Sequence, residues 1–206
     1  MKGSGQLRLT TGRKLISPPN LTARPTTSRV REALMNILSD RLLGSRWLDL
    51  CCGSGIMGCE AIERGANSVT AVDQDYRCAK TAQQNLKTIS NSQKYRVEID
   101  VIRTDCFNWL KKNSSKYQFD IIYFDPPYES KLYSKILPLL TDNSWLSPGG
   151  LLICEYRSTS SIAIPEPWTQ QDQRHYGSSS LLMLSLPERC HPDDIDSKQQ
   201  QTIREE

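Results

Sequence analysis

The residues best equipped for chemistry in this 206-residue sequence lie in two short stretches. One is Asp125-Pro126-Pro127-Tyr128, directly after the apolar run Phe119-Asp120-Ile121-Ile122-Tyr123-Phe124. Two successive prolines stiffen the backbone just past a strand, which fixes the direction of the Asp125 side chain and of the Pro126 carbonyl. Those two groups offer two acceptors to one exocyclic NH₂ of a planar substrate, and Tyr128 offers a stacking face. Acceptors aimed at the amine hydrogens hold the nitrogen lone pair in line for attack and stabilise the charge that develops on it. Either Asp125 or water could take the proton. Alone, the tetrapeptide also fits a rigid turn without chemistry.

The second stretch is Asp49-Leu50-Cys51-Cys52-Gly53-Ser54-Gly55-Ile56-Met57-Gly58, a G-x-G-x-x-G turn between an apolar strand and a helix. Glycine there lets backbone approach a ligand closely at a helix N-terminus, although the pattern by itself also fits dinucleotide binding. Asp73, 20 residues beyond Gly53, is placed to accept from a ribose hydroxyl. Asp49 separates the two readings. A carboxylate four residues before Gly53 is a poor neighbour for a pyrophosphate. It suits a cationic ligand such as S-adenosylmethionine, which carries a sulfonium and an ammonium group; the bland alternative is an acid capping backbone amides. Asp105, in Thr104-Asp105-Cys106, could accept from an adenine amine, while alone it reads as a helix N-cap. Asp49, Asp73 and Asp105 close three successive strands, on the edge where open α/β sheets bind ligands.

The elements that must position these groups follow from hydropathy patterning. Short apolar runs at 47–51, 68–72, 97–103, 119–124 and 150–156 alternate with helical segments at 56–64, 76–88, 106–111 and 131–140. That alternation predicts a parallel sheet covered on both faces. Runs at 173–176 and 181–186 then predict an antiparallel hairpin at the sheet edge. Ahead of the sheet, 6–10 and 13–16 form a hairpin around Thr11-Gly12. Thr26-Thr27-Ser28 supplies N-cap chemistry to a helix with Val30, Ala33, Leu34, Ile37 and Leu38 on one face. The organisation is a basic extension over 1–45, an α/β domain over 46–186 and a polar tail over 187–206 without core-forming content.

At 37% hydrophobic and 24% charged, the composition is that of a globular protein, and no run reaches the roughly 18 apolar residues of a membrane helix. Seven cysteines without Cys-x-x-Cys spacing point to a reducing cytoplasm, and with His175 and His191 the only histidines no zinc site is expected. Net charge is +3, but residues 1–46 carry nine Lys/Arg against Glu32 and Asp40. A basic head on a balanced body suits a polyanionic partner such as nucleic acid, or a solvated surface. Glu155, Trp47, Trp109, Trp145 and the cysteines read as structural, and His175 as part of the edge hairpin.

Together these features resemble the class I S-adenosylmethionine-dependent methyltransferases, and within them the RsmD-like 16S rRNA guanine-N2 methyltransferases. Four stretches between Leu7 and Leu186 carry the resemblance: Gly12-Arg13-Lys14-Leu15, the arginine-rich Arg24-Pro25-Thr26-Thr27-Ser28-Arg29-Val30-Arg31-Glu32-Ala33-Leu34, the Asp49–Gly58 turn and Asp125–Tyr128. The resemblance implies a Rossmann-like sheet and a cofactor site of Asp49, Cys51, Gly53, Gly55, Asp73, Gln74, Asp105 and Cys106. It implies that Asp125, Pro126, Pro127 and Tyr128 hold a guanine amine. Arg13, Lys14, Arg24, Arg29 and Arg31 would meet rRNA phosphates or order the lid over the cofactor. The partner implied is 16S rRNA within an assembling 30S subunit, met by a monomer with its target base unstacked. Cys51-Cys52 stand where the family more often has Phe-Ala, and Asp73 where Glu is commoner. Amine methylation of adenine or cytosine in DNA fits the same tetrapeptide, but leaves little chain after Asp125 for target recognition. A non-catalytic nucleotide-binding assembly factor would leave Asp125 and Tyr128 without use.

Overall fold

The computed structural model describes residues 6–19, 26–113, 116–127, 131–142 and 145–187. Its helices are α1 (Ser28–Ile37), α2 (Ser39–Leu42), α3 (Ile56–Glu63), α4 (Tyr76–Ser90), α5 (Cys106–Lys112) and α6 (Leu132–Asp142). Its strands are β1 (Arg46–Leu50), β2 (Ser68–Asp73), β3 (Glu98–Arg103), β4 (Phe119–Phe124), β5 (Leu146–Arg157), β6 (Thr169–Tyr176) and β7 (Ser179–Ser185).

The strands form one sheet in the order β3-β2-β1-β4-β5-β7-β6. Strands β1 to β5 run parallel, and β7 inserts antiparallel between β5 and β6. The chain leaves β1 toward β2 on one side and returns at β4 on the other. The C-terminal ends of β1 and β4 therefore flank the switch point where such sheets hold ligands. Side chains alternate along β1: Trp47 joins an apolar cluster with α1, α3 and α4, and Leu48 and Leu50 join another with α5 and α6. Burying each such side chain contributes about 1.5–3 kcal/mol, so the alternation fixes which residues of a strand face which layer. Among the described residues no helix is long and apolar enough to cross a membrane.

Two strands differ from the sequence expectation. β5 begins at Leu146 rather than at 150, and its pairing with β4 shifts between Phe119 and Ile121. The shift sits at Pro148-Gly149-Gly150: Gly149 has φ +71°, and a methyl on Gly150 would lie 3.1 Å from the Asp120 carbonyl oxygen. β6 starts at Thr169 rather than 173; its TQQDQRHY sequence is largely exposed and lacks the apolar alternation that marks a strand, and it forms by pairing with the buried β7. The four-residue α2 also carries no periodic signal.

The N-terminal segment packs onto the domain. Leu7 and Leu15 pair through their backbones, Arg8 bridges Lys14, and Gly12 turns the chain at φ +86°. Leu9 and Leu15 enter the same cluster as Trp47. Beneath them the fully buried Glu60 of α3 accepts from the Thr10 amide (2.8 Å) and hydroxyl (2.7 Å), from Arg31 (3.2 Å) and from Arg64 (2.8 Å). One carboxylate thus fastens the hairpin, α1 and α3 together.

Candidate active site

At the end of β1 the chain must turn sharply into α3, and the backbone does so through positive φ at Cys51 (+63°), Gly53 (+55°) and Gly55 (+72°). The glycines meet different surroundings. A methyl on Gly58 would lie 2.8 Å from Val69 and 3.0 Å from Leu86, so the third glycine lets α3 sit close on β2 and α4. A methyl on Gly53 would meet nothing within 4 Å, which leaves open space over this turn for a ligand. Asn85 braces the turn from α4: its amide donates to the carbonyls of Ser54 and Ile16, each at 2.9 Å, and its Oδ1 accepts from the Ile16 amide.

Asp49 is 2% exposed. It accepts from the Gly58 amide, while its Oδ2 has no partner. Burial is the main reason its carboxyl is pushed up to about 8, and the Gly58 amide only partly opposes this. A buried carboxylate oxygen without a donor fits a cationic, hydrogen-donating ligand such as an ammonium group. Asp73 at the end of β2 accepts from the Gly53 amide at Oδ2 (2.9 Å) and from the Asp75 amide at Oδ1 (2.8 Å). It braces the glycine turn, and the acceptor capacity left on each oxygen is what it can offer a ribose. Exposed Gln74 follows it. Asp105 caps α5 by accepting from the Asn108 amide at 2.9 Å. Cys106 follows it with its sulfur 3.9 Å from that of Cys51, bringing the β1 and β3 loops together at the sheet edge.

Across the switch point, Asp125 leaves β4 half-buried, with Pro126 buried and Pro127 exposed. Tyr128 lies outside the described residues. In register, Asp49 pairs with Tyr123, and Tyr123 with Ile153. The two-residue side-chain period then places Asp125 and Glu155 on the same face as Asp49 and Tyr123. Tyr123 donates to Glu155 Oε2, and Tyr133 donates to the Glu155 carbonyl. Thr26 Oγ1 is 3.4 Å from both the Tyr123 hydroxyl and Asp125 Oδ2. Burial, then the charges of Glu155 and Asp49, hold the Asp125 carboxyl well above the usual carboxylate range.

The basic residues divide. Lys14 and Arg29 are exposed, and Arg24 lies outside the described residues. Arg13 is partly exposed but bonded to Glu63 at 2.9 Å and to the Ser92 hydroxyl. Arg31 corrects the expectation of a phosphate contact. It is 4% exposed, paired with Glu60, and donates to the carbonyls of Thr26 and Arg8 at 2.6 Å each. Its charge is spent inside the fold, on Glu60 and on the carbonyls that hold Thr26 and Arg8 in place. The roles of Thr26 beside Asp125, of Asn85 under the glycine turn and of Glu60 toward Thr10 and Arg31 were not marked in the sequence, because those partners lie 29 to 99 residues away and only the fold joins them.

Comparison with known proteins places the chain. Residues 4–185 match the family described as Conserved hypothetical protein 95. The chain is 39% identical over 168 residues to Ribosomal RNA small subunit methyltransferase D of Buchnera aphidicola from Acyrthosiphon pisum, covering 81% of this chain and 82% of that protein. It is 33% identical to the protein of the same name from Haemophilus influenzae over 84% of this chain and 88% of that one. Among solved structures, the Escherichia coli protein yhhF, described as a methyltransferase, superposes with a TM-score of 0.75 at 28% identity, covering 90% of this chain and all of that one. With its mixed seven-stranded sheet and these relatives, the chain belongs to the Conserved hypothetical protein 95 family, the RsmD-like methyltransferases.

Proposed function

We propose that this protein transfers a methyl group from S-adenosylmethionine to the exocyclic N2 amine of a guanine in small-subunit ribosomal RNA. The observation that carries the reading is the pairing, across one switch point, of an orphaned buried carboxylate at Asp49 with an acceptor pair at Asp125 and Pro126. The relatives named Ribosomal RNA small subunit methyltransferase D support ribosomal RNA as the substrate class, and the resemblance supplies the guanine-N2 position.

The cofactor supplies an electrophilic methyl on a sulfonium. Asp49 would pair with its ammonium group, the open space over Gly53 and the amides of the glycine turn would receive its methionine end, Asp73 and Gln74 would face its ribose, and the loop from Asp105 to Cys106 would receive its adenine. Cys51 contributes backbone to the same cradle. Asp125 and the Pro126 carbonyl accept from the two amine hydrogens, which aims the nitrogen lone pair and stabilises the positive charge that grows on it during attack. Pro127 holds this geometry, and Tyr128 stacks on the base. Lys14 and Arg29, with Arg24, meet RNA phosphates, and the small subunit presents the base unstacked.

Asp125→Ala tests the reading. Methyl transfer to small-subunit particles that lack the modification falls at least about 100-fold, the scale of a lost acid–base or electrostatic group, while calorimetric affinity for S-adenosylmethionine stays within about twofold. Full transfer by Asp125→Ala would refute it.

A further inference from the structure

Asp125 and Glu155 are two carboxyl groups on one face at the ends of adjacent strands, and the charge of Glu155 helps to raise the Asp125 carboxyl. Two hydroxyls lie between them. Tyr123 has a single proton and gives it to Glu155, so toward Thr26 its oxygen can only accept. Thr26 also has a single proton, with Asp125 Oδ2 and the Tyr123 oxygen both at 3.4 Å. The direction of that hydroxyl therefore follows the state of Asp125. Toward an ionised Asp125 it donates; from a protonated Asp125 it accepts and donates on to Tyr123.

We propose that Asp125 and Glu155 share one proton through the hydroxyls of Thr26 and Tyr123, and that Glu155 is a positioning residue which takes this proton when the substrate amine docks. The inference rests on the methyl-transfer reading above and adds the group that keeps Asp125 an acceptor. The balance is simple. Asp125 gives its proton to Thr26, Thr26 gives its own to Tyr123, and Tyr123 gives its own to Glu155. Three O–H bonds break and three form, each hydroxyl ends with one proton, and the negative charge moves from Glu155 to Asp125. An amine N–H approaching Asp125 favours that arrangement, since a carboxylate accepts where a carboxylic acid also donates. Contacts of 3.4 Å in the free protein are of the kind that tighten when substrate closes the site. Burial raises Tyr123 well above its usual range, so it passes a proton rather than surrendering one. The other ionisable groups beside the path are Asp49, Cys51 and Tyr133, and Arg31 holds the Thr26 carbonyl from α1.

Thr26 allows the test without touching either carboxyl. Thr26→Val keeps the shape and removes the hydroxyl; Thr26→Ser keeps the hydroxyl and removes the methyl. At pH 7 Thr26→Val lowers kcat for methylation of small-subunit particles about 10-fold or more, with KM and calorimetric S-adenosylmethionine affinity within about twofold. Its rate climbs with pH where the wild type is flat, because Asp125 must now lose its proton to solvent. Thr26→Ser stays within about threefold of wild type, and Tyr123→Phe, which keeps the ring stacked on Trp47, behaves like Thr26→Val. A Thr26→Val enzyme with wild-type kcat and pH profile, or a Thr26→Ser enzyme as impaired as the valine variant, would overturn the shared proton while leaving the methyl-transfer reading intact. A wild-type enzyme that methylates no guanine would overturn both.

Discussion

A carboxylate with one oxygen bonded and the other facing nothing is costly to keep ionised in a protein interior, and Asp49 is in that position. Its carboxyl sits near 8 when folded against 3.8 in the free side chain, so between those values the folded protein binds more protons than the unfolded chain. Stability therefore falls as pH rises through that window, by up to about 1.4 kcal/mol per unit from this group. Asp73 and Asp125 are raised as well and act in the same direction. Thermal unfolding of the free protein should show a higher midpoint at pH 6 than at pH 8, and Asp49→Asn should flatten that difference. A cation that pairs with Asp49 must drive its proton off. Calorimetry at pH 7 in buffers of different ionisation enthalpy should thus record proton release on S-adenosylmethionine binding, lost in Asp49→Asn together with about 10-fold to 100-fold in affinity. The sequence singled out Asp49 for this proposed role because a carboxylate four residues ahead of Gly53 is odd chemistry for a phosphate site. It concealed the burial of Arg31, since an arginine in a basic stretch reads as surface until the fold sets Glu60 against it.

Among the elements, α3 has the most depending on it. The glycine turn that leads into it is the proposed cradle, Gly58 sets its distance from β2, and Glu60 fastens the N-terminal segment. Gly58→Ala forces a methyl to within 2.8 Å of Val69, and chemical denaturation should register a loss of about 1–3 kcal/mol. Glu60→Ala leaves the buried Arg31 without its carboxylate and should cost about 3–5 kcal/mol. It should also open the segment around Thr10 to limited proteolysis and reduce methyl transfer, since Arg31 holds the carbonyl of Thr26. Wild-type resistance in Glu60→Ala would show that the apolar contacts of Leu9 and Leu15 suffice. Strands β1, β2 and β4 were legible because both of their faces are buried, whereas β6 was only half legible. Its polar residues carry no hydrophobic period, and its extent follows from the neighbour it pairs with.

At the scale of the whole molecule, a sheet whose switch point holds three carboxyl groups is joined to an N-terminal segment whose exposed cations face outward. On the proposed reading the exposed Lys14 and Arg29 meet RNA phosphates, so charge reversal at each should weaken RNA binding and lower the salt slope by about one. Arg31→Glu should instead unfold the clamp, a loss visible without RNA. The central claim is that the site methylates a guanine amine in small-subunit RNA, and product chemistry tests it most directly. Labelled S-adenosylmethionine is offered with small-subunit particles lacking the modification, with naked 16S rRNA and with duplex DNA, and the nucleosides are then separated. The account predicts N2-methylguanosine from the particles and no methylated base from DNA. Methyladenine or methylcytosine in the DNA, with none of the guanosine product, would contradict it.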